Sequence, residues 1–246
     1  MREIGVKTRI EYIPNGVNLE RFHPSISEQD KLAAQALRKR FEIPADHQVI
    51  AVVGAVMPRK GPDHILRAWQ LVVSQLPNTH LLFIGPRSDT HDPKLQKFGR
   101  AVAELVEVSG APDKVHFTGV VDDVESYLRA SDLFMLASAR EGTPNSVLEA
   151  MASGLPALVT PHIGISTGIG CAGEHYQLVE RTPEAMASAL TTLLQSAESR
   201  LALRERGLRY VRDNADQAVS LDRYAELYEE LGAMALKRRS GDRAVR

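Results

Sequence analysis

Short apolar runs alternate with amphipathic stretches along most of this chain. Gln48 to Val56, His80 to Ile84, Val115 to Thr118, Leu133 to Ala137 and Ala157 to Thr160 are short and mostly apolar. Runs of that length bounded by Gly, Pro and Asn predict strands of a sheet covered on both faces. A last short strand is expected at Tyr176 to Val179. Between the runs, Asp63 to Gln75, Pro93 to Ser109, Asp122 to Ala130 and the stretch after Thr143 repeat apolar residues at helical spacing. Thr182 to Leu194, Glu198 to Asn214 and Ala218 to Lys237 predict three more helices, with Thr182-Pro183 as N-cap and first position. Upstream, Gln29 to Phe41 predicts a charged outer helix, and Thr8 to Ile13 a short strand entering the turn Pro14-Asn15-Gly16. Alternation in this sense implies an α/β fold, a Rossmann-like, doubly wound parallel sheet with right-handed crossovers. The expected division is a linker segment and outer helix over 1–45, one sheet domain over 46–237, and a flexible basic tail over 238–246.

Composition narrows the class. The 246 residues suffice for one large domain with a sizeable core. Lysine plus arginine number 30 against 31 for aspartate plus glutamate, so no bulk charge points to nucleic acid. Cys171 is the only cysteine, which excludes an internal disulfide and a cysteine-based metal cage; a small buried or loop position is expected for it. No apolar run approaches a membrane span, and Met1 to Tyr12 carries charges where a signal peptide would be apolar. A cytoplasmic placement is expected, with a peripheral position at a membrane as the alternative.

The stretch from Asp132 to Thr160 carries the chemistry. Its first strand enters the polar loop Ser138 to Gly142, then Thr143 as an N-cap hydroxyl and Pro144 as a first helical residue. Val147, Leu148, Met151 and Ala152 give the helix one apolar face, and Gly154 and Pro156 end it. Open parallel sheets bind ligands at such a loop, and a helix N-terminus offers N–H groups to anions. Glu141 lies in the loop and Glu149 inside the helix, with seven residues between them. A carboxylate accepts two hydroxyl donors and so suits the vicinal diol of a ribose or a hexose. One ligand with phosphates in the middle and a sugar at each end would satisfy both carboxylates and the helix. Taken alone, the two glutamates also read as helix-start charges favoured by the macrodipole.

A second loop, Met57-Pro58-Arg59-Lys60-Gly61-Pro62, follows the first core strand. Both G-x-G-x-x-G and G-x-x-x-x-G-K-[S/T] are absent there, which removes the main support for a nicotinamide or P-loop site. Arg59 and Lys60 stand where phosphate would lie, or are plain solvent charges. Asp89, His91 and Asp92 read as a solvated loop for want of further ligands, and His162 as a loop histidine that either faces the pocket or, as a lone loop histidine more often does, is simply solvated.

"EGTPNSVLEAMASGLP", Glu141 to Pro156, resembles the "EG-x-P-N-x-x-x-EAMA-x-G-x-P" form of the Glu-x7-Glu signature. That signature belongs to the retaining nucleotide-sugar glycosyltransferases with two Rossmann-like domains, the GT-B enzymes of glycosyl transferases group 1. "IPNGVNLERFHP" resembles the segment linking the acceptor and donor domains of that family, and "VHFTGVVDDVESYLRASDLFMLAS" its stretch before the glutamates. The resemblance covers about residues 8 to 235, and only the C-terminal, donor-binding half of the family's enzyme.

What the resemblance implies is specific. Glu149 would hold the nucleotide ribose, and Glu141 would lie against the donor sugar. The backbone of Gly142, Thr143, Pro144, Asn145 and Ser146 would grip the sugar and phosphates, with Gly85 and Gly119 at the loops near the donor, the latter bordering the base. Lys60, with Arg59 beside it, would meet the diphosphate. Glu141 and Lys60 are the residues expected to carry catalysis. Two positions depart from the pattern: Ala55 stands where the family has an arginine, and Thr167 where it has a glutamate. No cofactor is expected, since the resembling family is metal-independent and sets basic side chains in place of a divalent ion. The donor would be a nucleotide diphosphate sugar. The acceptor, a glycan, lipid or small molecule, would be held by an N-terminal domain expected to lie outside this polypeptide, leaving an apolar face open to self-association. Two alternatives remain at this level: a nucleotide-sugar-binding subunit or remnant that catalyses nothing alone, and a nucleotide-sugar epimerase, which the linker and the glutamate pair disfavour.

Overall fold

The computed structural model describes residues 11, 13, 15–87, 92–164 and 167–243. Six parallel strands form one sheet: β1 (Gln48–Val53), β2 (Thr79–Ile84), β3 (Val115–Phe117), β4 (Leu133–Leu136), β5 (Ala157–Val159) and β6 (Gln177–Leu178). Their spatial order is β3-β2-β1-β4-β5-β6, with Val49 opposite His80 and Ile50 opposite Leu133 fixing the register about β1. The helices are α1 (Glu28–Arg40), α2 (Pro62–Gln75), α3 (Pro93–Glu107), α4 (Val124–Arg129), α5 (Asn145–Ala152), α6 (Pro183–Gln195), α7 (Ala197–Asn214) and α8 (Gln217–Arg243). The doubly wound parallel sheet expected from the sequence is therefore the fold.

The strands read as continuous apolar runs because both faces are covered. Side chains alternate between faces along a strand. Ile50, Val52, Leu81, Phe83 and Met135 enter one core with Ile65, Leu66, Trp69 and Val72 of α2 and with Met186 and Leu190 of α6. Val49, Ala51, Leu82, Ile84 and Phe134 enter the other, with Val147, Leu148 and Met151 of α5 and Val211 of α7. The Val, Leu, Ile, Phe and Met side chains among these contribute about 1.5–3 kcal/mol each when fully buried. α1 buries no residue fully, as its charged pattern predicts, and Ser27 with Asp30 caps it reciprocally.

Several boundaries differ from the sequence reading. β1 stops at Val53 because Gly54 turns out of the strand at φ +138. α8 continues through Arg243, into the stretch expected as a tail. The strand expected at Thr8 to Ile13 falls mainly outside the described residues. Leu221, Tyr224, Tyr228 and Leu231 make an exposed apolar stripe on α8. Among the described residues no helix is long and apolar enough to cross a membrane.

Candidate functional site

The chain winds from β1 through β2 to β3 in one direction, then returns to place β4 on the other side of β1. That reversal opens a crevice outside the carboxyl ends of β1 and β4, where ligands of such sheets bind. Three loops close over it through the backbone. Ala139 N donates to Arg59 O at 2.8 Å, Ile163 N to Ala139 O at 3.0 Å, and Glu141 N to Ile163 O at 3.0 Å. Gly164 makes the last approach possible. At its φ of +88° a side chain would be strained, and a Cβ there would fall 1.9 Å from the Glu141 carbonyl oxygen.

Stitched together in this way, the loops join Lys60 to Glu141. Lys60 Nζ lies 2.7 Å from Glu141 Oε1, with the two side chains 18% and 9% exposed. Arg59 Nη1 donates to Glu141 Oε2 at 3.1 Å and to the Arg140 carbonyl at 2.7 Å. Arg59, though 43% exposed, is thus a bonded partner of Glu141. Burial pushes the Glu141 carboxyl up, but the hydrogen bond and charge of Lys60, with further contributions from Ser138 and then Arg59, outweigh it and hold the group below its ordinary value. Glu141 therefore stays ionised at neutral pH.

The helix beyond the loop begins later than the sequence suggests. Thr143 does not cap it and Pro144 is not its first residue: Pro144 is the N-cap position, and α5 starts at Asn145. Thr143 instead offers its carbonyl to Asn145 N at 2.9 Å, and Pro144 its own to Val147 N at 2.9 Å. No side chain caps this end. With the Asn145 and Val147 N–H groups engaged in this way, the Ser146 N–H is the first-turn donor left open to a ligand.

Glu149 lies one turn inside α5, partly buried. Its carboxyl is raised by burial, and by Glu125, against the opposing charges of Arg21 and Lys60. It makes no hydrogen bond or ion pair with a described side chain. Ionising it is costly until hydroxyl donors arrive. Arg21 and Asn15, from the segment read only as a linker, come close as well. Arg21 Nε lies 2.8 Å from Glu125 Oε2, and Arg21 Nη2 donates to the Asp122 carbonyl. Asn15 Nδ2 donates to Asn145 Oδ1 at 3.0 Å, on the first residue of α5. In the sequence Asn15 stands inside the turn Pro14-Asn15-Gly16 and Arg21 a little beyond it, with no chemistry assigned to either.

Gly85 directly follows β2 and Gly119 lies just beyond β3, and the two bridge each other. His162 corrects an expectation. It is 8% exposed, with Nδ1 donating to Thr160 O at 3.0 Å and Nε2 buried without a partner. The loop is drawn inward by the bonds of its neighbour Ile163, which a reading by residue type could not foresee. Asp89 and His91 lie outside the described residues, as does the side chain of Thr167; Asp92 caps α3. Cys171 is exposed, and its thiol approaches Glu174 and His175 closely enough for a metal, with ligand atoms within 4.8 Å of one another. His175 Nδ1 accepts from Cys171 N at 2.9 Å, however, which leaves the proton of the neutral ring on Nε2. That tautomer does not suit ligation.

Fold and crevice together define a doubly wound α/β domain with a ligand crevice at its topological switch point. The sequence profile of glycosyl transferases group 1 matches residues 47–196, well over half of the chain, which belongs to that family. The D-inositol 3-phosphate glycosyltransferase of Salinispora tropica is 30% identical over 236 residues, 91% of this chain and 47% of that protein. This chain thus spans about half the length of that relative. Among solved structures, the C-terminal domain of the group 1 glycosyltransferase LpcC from Francisella tularensis is similar at TM-score 0.70 and 24% identity, over 82% of this chain and 99% of that domain. Anabaena HepE, solved with UDP and glucose, is similar at TM-score 0.76 and 18% identity, over 87% of this chain and 55% of that one. At those identities the two structures bear on the fold.

Proposed function

We propose that this chain binds the nucleotide diphosphate sugar donor of a glycosyl transfer that retains the configuration of a hexose, with the acceptor held by another domain. One observation carries the reading. The Lys60–Glu141 pair stands across the switch point beside the uncapped start of α5, with an unpaired, half-buried Glu149 further along that helix. Glu149 accepts the two ribose hydroxyls. Lys60 and the helix N-terminus meet the diphosphate. Both oxygens of Glu141 already hold cations, but a carboxylate has about four acceptor positions, so hydroxyls of the donor sugar can still bind there. Its first task is to aim Lys60.

Breaking the bond between the anomeric carbon and the diphosphate builds negative charge on the departing oxygen. Fixed cations and N–H groups stabilise that charge most when they are already oriented, which Glu141 ensures for Lys60. Holding the sugar by its hydroxyls positions the anomeric carbon for attack. In this reading the positive charge comes from side chains, and no metal is assigned. The stripe on α8 suits contact with a partner surface and, left uncovered, favours self-association, which light scattering over a concentration series reads.

The experiment is calorimetric binding of UDP, the first ligand to try, and of ADP and GDP, to the wild type, Glu149→Gln and Glu149→Ala. Losing a charged acceptor for two donors should cost about 2–4 kcal/mol in Glu149→Ala and part of that in Glu149→Gln. Removing the ribose 2′-hydroxyl from the ligand should then cost the wild type more than Glu149→Ala. Additive losses in that cycle would take Glu149 off the ribose.

A further inference from the structure

Three cations stand at the switch point. Lys60 and Arg59 are held by Glu141. The third, Arg181, comes from the turn just before the Thr182-Pro183 start of α6 and has no role assigned from the sequence. Its Nε donates to the Ala137 carbonyl at 2.8 Å, just beyond the end of β4. Its Nη2 lies over Gly61, where a Cβ would be 2.6 Å from it and 2.5 Å from the Ala137 oxygen. Gly61 follows Lys60 in the chain and is the N-cap of α2, at φ +67° and with no side-chain cap. The guanidinium therefore spans the end of β4 and the start of α2, the elements that bound the crevice. A glycine is required beneath it both for the backbone conformation and for the space.

This placement is electrostatically costly without an anion. The start of a helix carries partial positive charge, and a cation there is disfavoured. Arg181 makes no ion pair with a described residue, and Lys60 and Arg59 already share the one carboxylate of Glu141. Asp63, in the first turn of α2, makes no ion pair with Arg181, so of the three cations only Lys60 and Arg59 are paired with a carboxylate. A phosphate group relieves this, and the planar guanidinium fork fits two of its oxygens. We propose that Arg181 is a diphosphate-binding residue, reaching the donor from the α6 side and supplying the guanidinium that Ala55 does not. The inference rests on the reading that a nucleoside diphosphate occupies this crevice.

The test compares UDP with uridine by calorimetry on the wild type, Arg181→Gln and Arg181→Lys, with thermal unfolding of each. Arg181→Gln should weaken UDP at least roughly tenfold and leave uridine unchanged, as expected for a lost charged hydrogen bond. Arg181→Lys keeps the charge without the fork, so it should lose less, and it carries the comparison if the glutamine variant does not fold. If Arg181 only tied its turn to β4, both substitutions would lower the unfolding temperature and leave the UDP-to-uridine affinity ratio at the wild-type value. That result overturns the role of Arg181 alone. A wild type that binds UDP, ADP and GDP no better than their nucleosides would overturn the diphosphate reading, and this inference with it.

Discussion

Two polar clusters sit on the same sheet and treat charge in opposite ways. At the crevice, Glu141 is only 9% exposed yet ionised, because Lys60 and Arg59 bond both of its oxygens. Under α1, three histidines form a chain: His47 Nδ1 to His80 Nε2 at 2.9 Å and His80 Nδ1 to His116 Nε2 at 3.0 Å. Neutral rings of one tautomer satisfy both bonds. Burial, then the neighbouring histidines and Lys114, lower the pKa of His80 to about 4, with only Asp113 acting the other way. Where opposite charges are built in, a buried group keeps its charge; where only like groups surround it, the charge is given up. Of these two clusters, the one at the carboxyl ends of the strands keeps its charge, where a ligand can use it, and the histidine chain gives its charge up.

The largest effect on stability should come from breaking the charged cluster. Lys60→Met leaves Glu141 buried with Arg59 alone, and should cost about 3 kcal/mol in urea unfolding. Adding Glu141→Gln should restore much of that, since the orphaned charge is then gone, without restoring UDP binding. If Lys60→Met proves neutral, Arg59 suffices for Glu141 and the pair is not the keystone of the site.

Gly164→Ala attacks the same cluster from the backbone. Its Cβ would strike the Glu141 carbonyl oxygen, in a conformation that non-glycine residues rarely hold. A loss of about 2 kcal/mol is expected in thermal unfolding, with weaker UDP binding as the Glu141 loop shifts. Unchanged binding in a folded Gly164→Ala variant would separate the loop stitching from the ligand site.

The histidine chain should show itself through pH. The folded chain holds the His80 pKa near 4, below the ordinary value of 6.5. Between those values the unfolded chain takes up a proton that the folded one refuses, so stability is full above about pH 6.5 and falls as pH drops toward 4. After discounting for solvent near the rings, the loss is on the order of 1–2 kcal/mol. His80→Leu should flatten this fall relative to the wild type in urea unfolding between pH 7 and 4. Parallel pH curves for the two proteins would mean His80 is protonated in the folded state.

Much of this comparison was legible in the chain. Apolar runs separated by helical periods gave the sheet, since covering both faces leaves no alternating polar positions to blur them. Lys60, Glu141 and Glu149 stood out because a lysine-glycine turn and a glutamate pair flank strand ends. What stayed hidden depends on long-range backbone contact. The turn bearing Arg181 looks like a helix approach, and only the Ala137 carbonyl and the gap over Gly61 bring it to the crevice. Thr143 read as a cap because its hydroxyl suits one, whereas Pro144 takes that position with φ −76° and ψ 82°. The histidine chain joins residues far apart in sequence, from β2, β3 and the turn before β1.

The smallest expected change concerns Glu149, which belongs to the crevice but lacks the built-in partners of Glu141. Burial raises its carboxyl above the ordinary range, Glu125 adds to the rise, and Arg21 and Lys60 offset only part of it. A raised pKa means that the folded state keeps this proton to higher pH than the unfolded chain. The group is therefore harmless to stability below the ordinary carboxylate range and becomes destabilising as pH rises through and beyond it. Glu149→Gln keeps the size and removes the charge that must be desolvated, so it should stabilise the ligand-free protein at pH 7 by under about 1 kcal/mol. The gain should shrink as pH falls toward 4, where the wild-type carboxyl is protonated. Urea midpoints of both proteins across that range measure it, without ligand present. A loss of stability at pH 7 would mean that Arg21 holds Glu149 as a true ion pair, and Glu149 would then join Glu141 on the charged side of the comparison.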